Sequence, residues 1–350
     1  MGIWCIIYGI NEVMRMDNYI PPFTITGVML DRVSSIMKKI GRLDNYRDLE
    51  KMPVLRRNNR IRSIHSSLAI EANSLSLGQV RDIIDGKAVI GPKNEVREVQ
   101  NAYRAYGQIG KVNPYSVSDL KKMHGILMDL LVADAGCFRN GGEGVFDENG
   151  NCIFVCPPPE QVDGLVKGLF AWMKSKRDEI HPLILSSVFH YEFVFIHPFS
   201  DGNGRTARLW QNVILSNFED LFTYVPIETA IKRYQDDYYR AIQNCNNEGT
   251  STEFIEFMLK MIDEVLEELT ESVSGNISGI GIYVKSLLDV MEVGVNYKAK
   301  DLMELLGMKS RVSFRDNYLI PAIESGVVGM TLPDAPTSKN QMYYRNDGCL

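Results

Sequence analysis

The sequence has little of what several common protein classes require. Its 350 residues include only six cysteines, spread over the whole length (Cys5, Cys137, Cys152, Cys156, Cys245 and Cys349). Such sparse spacing argues against a disulfide framework and favours reduced thiols. No apolar run approaches the roughly 20 residues of a membrane-spanning helix. The first residues carry no Lys or Arg before their apolar run, so we expect no signal peptide, no membrane partner and a cytoplasmic protein.

An excess of positive charge is also missing. Thirty-eight basic residues face 44 acidic ones, and a net charge of -6 disfavours a strongly basic nucleic-acid binder. The sequence contains neither the Gly-x4-Gly-Lys-Ser/Thr phosphate loop nor the Gly-x-Gly-x-x-Gly fingerprint. Apolar residues make up 45% of the chain, which supports a large buried core. The length corresponds to a little over two domains of about 150 residues.

Helical periodicity runs through most of the chain, which predicts a mainly α protein. The predicted helices cover 24–40, 57–71, 76–85, 93–109, 117–132, 159–176, 181–195, 205–217, 231–246 and 251–270. Residues 144–156 differ, because two short apolar runs flank Asn149-Gly150 and predict a small β-hairpin. Pro157 and its neighbours end that hairpin, since proline has no amide for a strand ladder.

The pattern changes along the chain in a way that indicates several regions. Met14 and Met16 follow the apolar start closely, so we expect residues 1–15 to be an extension of little importance to the fold. Glycines at 275, 279 and 281 predict a linker over 271–282. Within 283–350 the pattern predicts a helix over 300–306, a turn at 307–308, a helix over 310–325, a polar loop and a strand over 341–345. This is the order typical of a winged helix-turn-helix. The predicted regions are 1–15, 16–110, 111–270, 271–282 and 283–350.

The residues that carry chemistry lie in Phe193–Arg208, FVFIHPFSDGNGRTAR. Gly202 and Gly204 allow a sharp turn and a close approach of backbone to ligand. A helix begins directly afterwards, so its free amides and its dipole favour an anion at this point. Arg205 and Arg208 lie three residues apart on that helix, and guanidinium groups match phosphate oxygens.

Two further side chains complete a site of this kind. Asp201 is a hard oxygen ligand next to the expected phosphates and suits Mg²⁺ shared with a nucleotide. His197 can act as a base near neutral pH. Each residue alone is ordinary in a loop or on a solvated helix, but no packing requirement produces this order. The stretch therefore predicts phosphoryl or nucleotidyl transfer.

This stretch resembles the signature of the Fic family, His-Pro-Phe-x-Asp/Glu-Gly-Asn-Gly-Arg-x-x-Arg, and matches every specified position. The resemblance extends over about residues 60–260 and implies the helical Fido fold, with the hairpin at 144–156 as the flap that aligns a target segment. It also implies transfer of AMP from ATP to a hydroxyl side chain of a target protein. Transfer of UMP or of a phosphate is the alternative within the enzyme class.

The resemblance assigns a role to each residue of the signature. His197 is implied to deprotonate the target hydroxyl, and Asp201 to hold Mg²⁺ between the α- and β-phosphates. Phe199 is expected to anchor the loop in the core. The phosphates are implied to contact Gly202, Asn203, Gly204, Arg205 on the β side and Arg208 on the γ side.

A second motif, Ser67-Leu-Ala-Ile-Glu71-Ala72-Asn73, ends the helical segment 57–73. It resembles the inhibitory motif of the family, Ser/Thr-x-x-x-Glu followed by Gly or Asn, although Ala72 departs from it. The resemblance implies that Glu71 pairs with Arg208 and keeps the ATP γ-phosphate from binding productively. A carboxylate at a helix C-terminus opposes the helix dipole, so a cation partner is expected. An ordinary solvated glutamate is the alternative.

The remaining features of the sequence give weaker indications of function. His181 and His190 flank a helix and are interpreted as capping or packing residues. The rival function is a DNA-binding regulator acting through the C-terminal region, where Ser310–Arg315 could form a basic recognition helix. Residues 275–350 hold eight basic and eight acidic side chains, which predicts weak DNA binding. We therefore expect that region to contact a partner or a second copy in a homodimer.

Overall fold

The computed structural model of the chain describes residues 20–44, 53–146, 152–277, 282–292, 294–308, 310–324, 326–333 and 338–346. Helices dominate this part of the chain, and the predicted mainly α fold is confirmed. The described residues form two compact units, one ending at Leu266 and the other beginning at Glu267. The first five helices are α1 (Gly27–Asp44), α2 (Pro53–Ile70), α3 (Leu77–Ile84), α4 (Lys93–Tyr106) and α5 (Val117–Leu127).

The second half of the first unit begins with a small hairpin. Its antiparallel strands β1 (Gly144–Phe146) and β2 (Cys152–Val155) pair Gly144 with Val155. The predicted turn at Asn149-Gly150 and the extension 1–15 lie outside the described residues. The helices that follow are α6 (Pro159–Lys176), α7 (Pro182–Ile196), α8 (Asn203–Phe218), α9 (Ile227–Arg233), α10 (Gln235–Glu248) and α11 (Thr252–Ile277).

Helix α7 is the centre of the first unit. Every residue from Leu183 to Phe193 is buried, and α8 packs along it. A helix that is apolar on all sides can be stable only inside a core. The loop between α7 and α8 therefore begins and ends on two fully packed helices, which hold its position.

Side chains on α1 and α11 join these two helices. The buried Lys39 ammonium lies 2.7 Å from a carboxylate oxygen of Asp263, and Arg32 approaches the other oxygen to 2.8 Å. A buried carboxylate requires such partners, because burial alone penalises its charge. This contact joins α1 to α11 and involves no residue of the α7–α8 loop.

Several predicted boundaries differ from the structure. The helix predicted over 231–246 is divided into α9 and α10, because Tyr234 leaves helical geometry at φ -110° and ψ 38°. The helix predicted to end at 270 continues to Ile277 in α11. In the first unit, the part of α9 before residue 231 and the short 3₁₀ turns Ile109–Lys111 and Asp220–Thr223 were not predicted, since segments this short show no clear period.

The second unit has its own core and sheet. Its elements are α12 (Ile282–Asp289), β3 (Asn296–Tyr297), α13 (Ala299–Leu305), α14 (Arg311–Phe314), a π turn over Arg315–Leu319, α15 (Ile320–Glu324), β4 (Val328–Met330) and β5 (Tyr343–Arg345). The strand order is β3-β5-β4, all antiparallel. The helix, turn and helix lie where they were predicted, whereas α12, β3 and β4 were missed. The winged-helix assignment stays a prediction.

Within the described ranges, no helix combines the length and the hydropathy needed to cross a membrane.

Candidate active site

The loop between α7 and α8 is held by its own side chains. Asn203 accepts a hydrogen bond from the Phe199 amide at 2.9 Å and donates one to the Phe199 carbonyl at 2.7 Å. The Phe199 ring is fully buried and stacks on the His124 ring, with centroids 3.6 Å apart. Phe199 anchors the loop as expected. Both polar groups of the Asn203 side chain are used within the loop, which leaves its backbone amide for a ligand.

His197 ends α7 in the left-handed conformation, with φ 52° and ψ 58°. Its Nδ1 lies 3.3 Å from the Val194 carbonyl oxygen, so Nδ1 carries the proton and donates it. Nε2 is then the basic atom of the ring. Burial lowers the pKa of His197 below its ordinary value, and the Val194 hydrogen bond offsets only part of this. The ring is therefore held neutral and ready to accept a proton.

The N-terminus of α8 provides free amides for an anion. The first helical hydrogen bond runs from the Thr206 amide to the Gly202 carbonyl, and no side chain caps the helix. Gly202 has φ 79°, and a Cβ there would meet the Met128 sulfur at 2.5 Å. A Cβ on Gly204 would meet a carboxylate oxygen of Glu71 at 2.5 Å. Gly202 is therefore required by its backbone conformation, and a side chain at position 204 would have to displace the Glu71 carboxylate.

The Arg205 guanidinium is buried and forms two ion pairs. It lies 2.8 Å from Glu98 on α4 and 2.8 Å from Asp201 in the loop. The other carboxylate oxygen of Glu98 accepts a hydrogen bond from the side-chain Nδ2 of Asn73 at 2.7 Å. Glu98 thus links the segment after α2 to the beginning of α8, a role that the sequence did not reveal.

The Arg208 guanidinium is almost fully buried and contacts the end of α2. It donates to the Ser67 hydroxyl at 3.0 Å, to the Ser67 carbonyl at 2.9 Å and to the Glu71 carboxylate at 2.7 Å. Burial opposes the charge of Arg208, but the Glu71 carboxylate raises its pKa well above the ordinary value. The structure brings Ser67, Glu71 and Arg208 together as the resemblance implies.

The end of α2 explains how Glu71 reaches this position despite Ala72. Ala72 takes the left-handed conformation at φ 63°, its amide bonds to Ala69 and the Asn73 amide bonds to Leu68. These are the two hydrogen bonds of a Schellman ending, in which glycine is the usual left-handed residue. Ala72 thus adopts the glycine geometry, and the departure from the motif leaves the helix end intact.

Side chains from α9 and α10 complete the same helix end. The Lys232 ammonium donates to the Ala69 carbonyl at 2.9 Å and to the Gln235 side chain at 2.6 Å. Gln235 in turn donates to the Ile70 carbonyl at 3.1 Å. A cation at a helix C-terminus is favourable, because it faces the negative end of the dipole. Lys232 and Arg208 therefore offset the unfavourable position of the Glu71 carboxylate.

Asp201 suits a metal ion that is shared with a ligand. Its side chain is 55% exposed, and its Oδ1 accepts from the Gly202 amide and from Arg205. Among the described residues, no three His, Cys, Asp or Glu side chains cluster closely enough to form a protein-only metal cage. An Mg²⁺ ion at Asp201 would therefore need phosphate or water oxygens for most of its ligands.

The residues interpreted as structural have that role. His181 caps α7 by accepting from the Leu183 amide, and buried His190 bonds to Gln211 and Tyr238. Burial lowers the pKa of His190 to about 3. The predicted site residues His197, Asp201, Arg205 and Arg208 lie around the beginning of α8, with Glu71 against Arg208. Glu98, His124 and Lys232 were missed, since their sequence neighbourhoods carry no motif.

Several known proteins and family models are similar to this chain. The model of the Fic/DOC family matches residues 114–215, and that of "Filamentation induced by cAMP protein Fic-like, C-terminal domain" matches 283–345. A "Protein adenylyltransferase Fic" of Nematostella vectensis is 31% identical over 58% of this chain and 47% of its own length. Another of Aedes aegypti is 30% identical over 66% of this chain and 47% of its own length. The chain thus spans about half the length of these curated relatives.

A solved structure covers nearly the whole chain. The crystal structure of a Fic family protein from Desulfovibrio desulfuricans G20 is 39% identical, with a TM-score of 0.71. The match covers 94% of this chain and 99% of that one, so the similarity includes both units.

The strained end of α2 gives a prediction on stability. Ala72→Gly should stabilise the protein by about 1 kcal/mol. A left-handed alanine costs roughly 1–2 kcal/mol, a cost that glycine does not have, but the greater freedom of glycine in the unfolded chain offsets part of the difference. Ala69→Gly, inside the same helix, should destabilise it by about 1 kcal/mol. Urea unfolding of both variants measures the difference. Destabilisation by both substitutions would show that Ala72 is not left-handed in solution.

Proposed function

The chain belongs to the Fic family, and from that premise we propose that it is a protein adenylyltransferase. It transfers AMP from ATP to a Ser, Thr or Tyr hydroxyl of a target protein. The observation that carries this proposal is the placement of a neutral imidazole, His197, before a helix N-terminus that bears two buried arginines. Such an arrangement combines a base with an anion site. The names of the curated relatives support the same activity.

In this proposal His197 acts as the general base. The acceptor oxygen attacks the α-phosphorus, the bond from that phosphorus to the bridging oxygen breaks, and pyrophosphate leaves. Nε2 takes the hydroxyl proton, because Nδ1 already donates to the Val194 carbonyl. The lowered pKa keeps Nε2 unprotonated near neutral pH.

The phosphates are held by the beginning of α8. The amides of Asn203 and Gly204 and the helix dipole attract phosphate oxygens, and the glycines allow close approach. Arg205 contacts the β-phosphate and Arg208 the γ-phosphate. Asp201 would hold Mg²⁺, and the ion would supply positive charge that stabilises the phosphates during transfer. UMP or phosphate transfer at the same site is the alternative within this chemistry.

Glu71 restrains the enzyme by occupying Arg208. The carboxylate lies 2.7 Å from the guanidinium, in the place where a γ-phosphate oxygen would bind. A phosphate cannot reach a buried arginine that already has a carboxylate partner without displacing it. ATP therefore binds in a position unsuited to transfer until Glu71 moves.

The proposal also covers the location of the protein in the cell and its binding partners. A cytoplasmic location is proposed from the sparse cysteines, of which Cys137 and Cys245 are free thiols in the described part of the chain. The C-terminal unit is proposed to contact a partner protein or a second copy of the chain.

Removal of Glu71 should activate the enzyme. Glu71→Gly should raise self-modification with radiolabelled ATP about 10- to 100-fold, since hydrogen bonds to charged groups contribute about 1.5–3 kcal/mol. Addition of His197→Ala to this variant should lower transfer at least about 100-fold. Competition among the four nucleoside triphosphates identifies the donor base. Absence of transfer by the Glu71→Gly variant would refute the proposed activity.

The pH dependence follows from the lowered pKa of His197. The base must be neutral, so a pKa below the ordinary 6.5 keeps it active as the pH falls toward that value. Transfer by the Glu71→Gly variant should be constant from pH 8 to about 6.5 and fall only below it. ATP binding measured over the same pH range shows whether a change in rate comes from titration of His197 or from weaker nucleotide binding. A half-maximal rate at pH 7 or above, with binding unchanged, contradicts the assignment.

Lys232 should contribute to inhibition through the end of α2. Lys232→Met removes the cation at the Ala69 carbonyl, which loosens the helix end and should raise transfer about two- to fivefold. The same substitution in the Glu71→Gly variant should have no effect, because the restraint is already absent. Equal changes in both backgrounds would mean that Lys232 acts on another step.

A further inference from the structure

Arg139 is a buried arginine for which the proposed mechanism has no role. It lies just before β1, and only 4% of it is exposed. Its Nε donates to the His197 carbonyl at 2.7 Å, and Nη1 donates to the Gly141 carbonyl at 2.7 Å. Nη2 donates to the Pro157 carbonyl at 2.5 Å and approaches the Ile196 carbonyl at 3.4 Å. Each hydrogen bond described for this guanidinium thus goes to a backbone carbonyl.

These four carbonyls belong to two different elements of the fold, the end of α7 and the base of the hairpin. Ile196 and His197 form the end of α7, where carbonyls have no helical partner and a cation faces the negative end of the dipole. Gly141 precedes β1 and Pro157 follows β2, so they are the two bases of the hairpin. One planar guanidinium therefore joins the backbone of the candidate base to both sides of the hairpin. Lysine could not do this, because its donors lie on a single nitrogen.

The same contact explains how His197 keeps an unfavourable backbone conformation. A non-glycine residue at φ 52° persists only where its surroundings hold it, at a cost of about 1–3 kcal/mol. Arg139 holds it at two points, through Nε on the His197 carbonyl and through its own amide on the Pro198 carbonyl at 2.9 Å. Movement of the guanidinium would release the His197 carbonyl, whereas the backbone contact with Pro198 does not depend on the side chain.

We propose that Arg139 is a positioning residue, which sets the distance between the His197 imidazole and the hairpin along which an acceptor segment lies. The proposal rests on the proposed role of His197 as the base. The phosphate side of the site is held separately, by contacts of Arg205 and Arg208 with Glu98, Ser67 and Glu71. Loss of Arg139 should therefore impair transfer to the acceptor and leave nucleotide binding intact.

The first test compares transfer with nucleotide binding in the Glu71→Gly background. Arg139→Gln should lower kcat for AMP transfer about 100-fold, the effect of roughly 1 Å of misplacement. Arg139→Lys keeps the charge but not the forked donors, so its kcat should lie between those of the parent and of Arg139→Gln. The Kd for Mg²⁺-ATP should change less than twofold in both. Lys39→Met, which disturbs a buried ion pair between α1 and α11, controls for lost stability and should leave kcat unchanged.

The second test does not depend on catalysis. Amide hydrogen exchange of the otherwise unmodified chain should become faster in peptides covering 140–146, 152–158 and 194–198 when Arg139 is changed to Lys or Gln. Peptides covering 206–216 in α8 should keep their exchange rates. If the Glu71→Gly parent transfers no AMP, the proposed activity fails, and this exchange pattern still decides the role of Arg139. Unchanged exchange at 194–198, or an ATP Kd weakened as much as kcat, would overturn the proposal.

Discussion

A buried guanidinium is the constraint on which the candidate site depends. Arg208 lies inside the helical unit, where a charge without a partner is strongly unfavourable. Glu71 supplies the partner in this structure, and a phosphate oxygen could supply it equally well. The requirement for one anion at one place therefore links the stability of the fold to the proposed binding of nucleotide. It also makes the end of α2 part of the site, although that helix lies more than a hundred residues earlier in the sequence.

The site is divided between two sets of contacts. On the phosphate side, Glu98 and Glu71 hold the two arginines of α8 in place. On the acceptor side, Arg139 holds the left-handed end of α7 and the bases of the hairpin. The loop between α7 and α8 joins the two sides, and Asn203 closes it by bonding to both backbone groups of Phe199. Under the proposed function, nucleotide binding and placement of the acceptor depend on these two separate sets of contacts.

The local features of the sequence were sufficient to predict much of this arrangement. The signature around His197 and the inhibitory motif at Glu71 were recognisable because each is contiguous. The helices of the core followed from their apolar period. Arg139, Glu98 and Lys232 act over long sequence separations through single contacts, so no local pattern indicates them. The break at Tyr234 and the continuation of α11 depend on tertiary packing, which overrides local preference. Ala72 shows the reverse case, in which a residue outside the motif adopts the geometry of the motif.

The central claim is that Glu71 and the γ-phosphate compete for Arg208. Crystal structures of the wild-type protein and of Glu71→Gly, each with Mg²⁺ and a non-hydrolysable ATP analogue, test it most directly. We expect a γ-phosphate oxygen within hydrogen-bonding distance of the Arg208 guanidinium in the variant, and Glu71 at that place in the wild type. A γ-phosphate bound to Arg208 in both proteins, with Glu71 still paired to the same guanidinium, would contradict the competition.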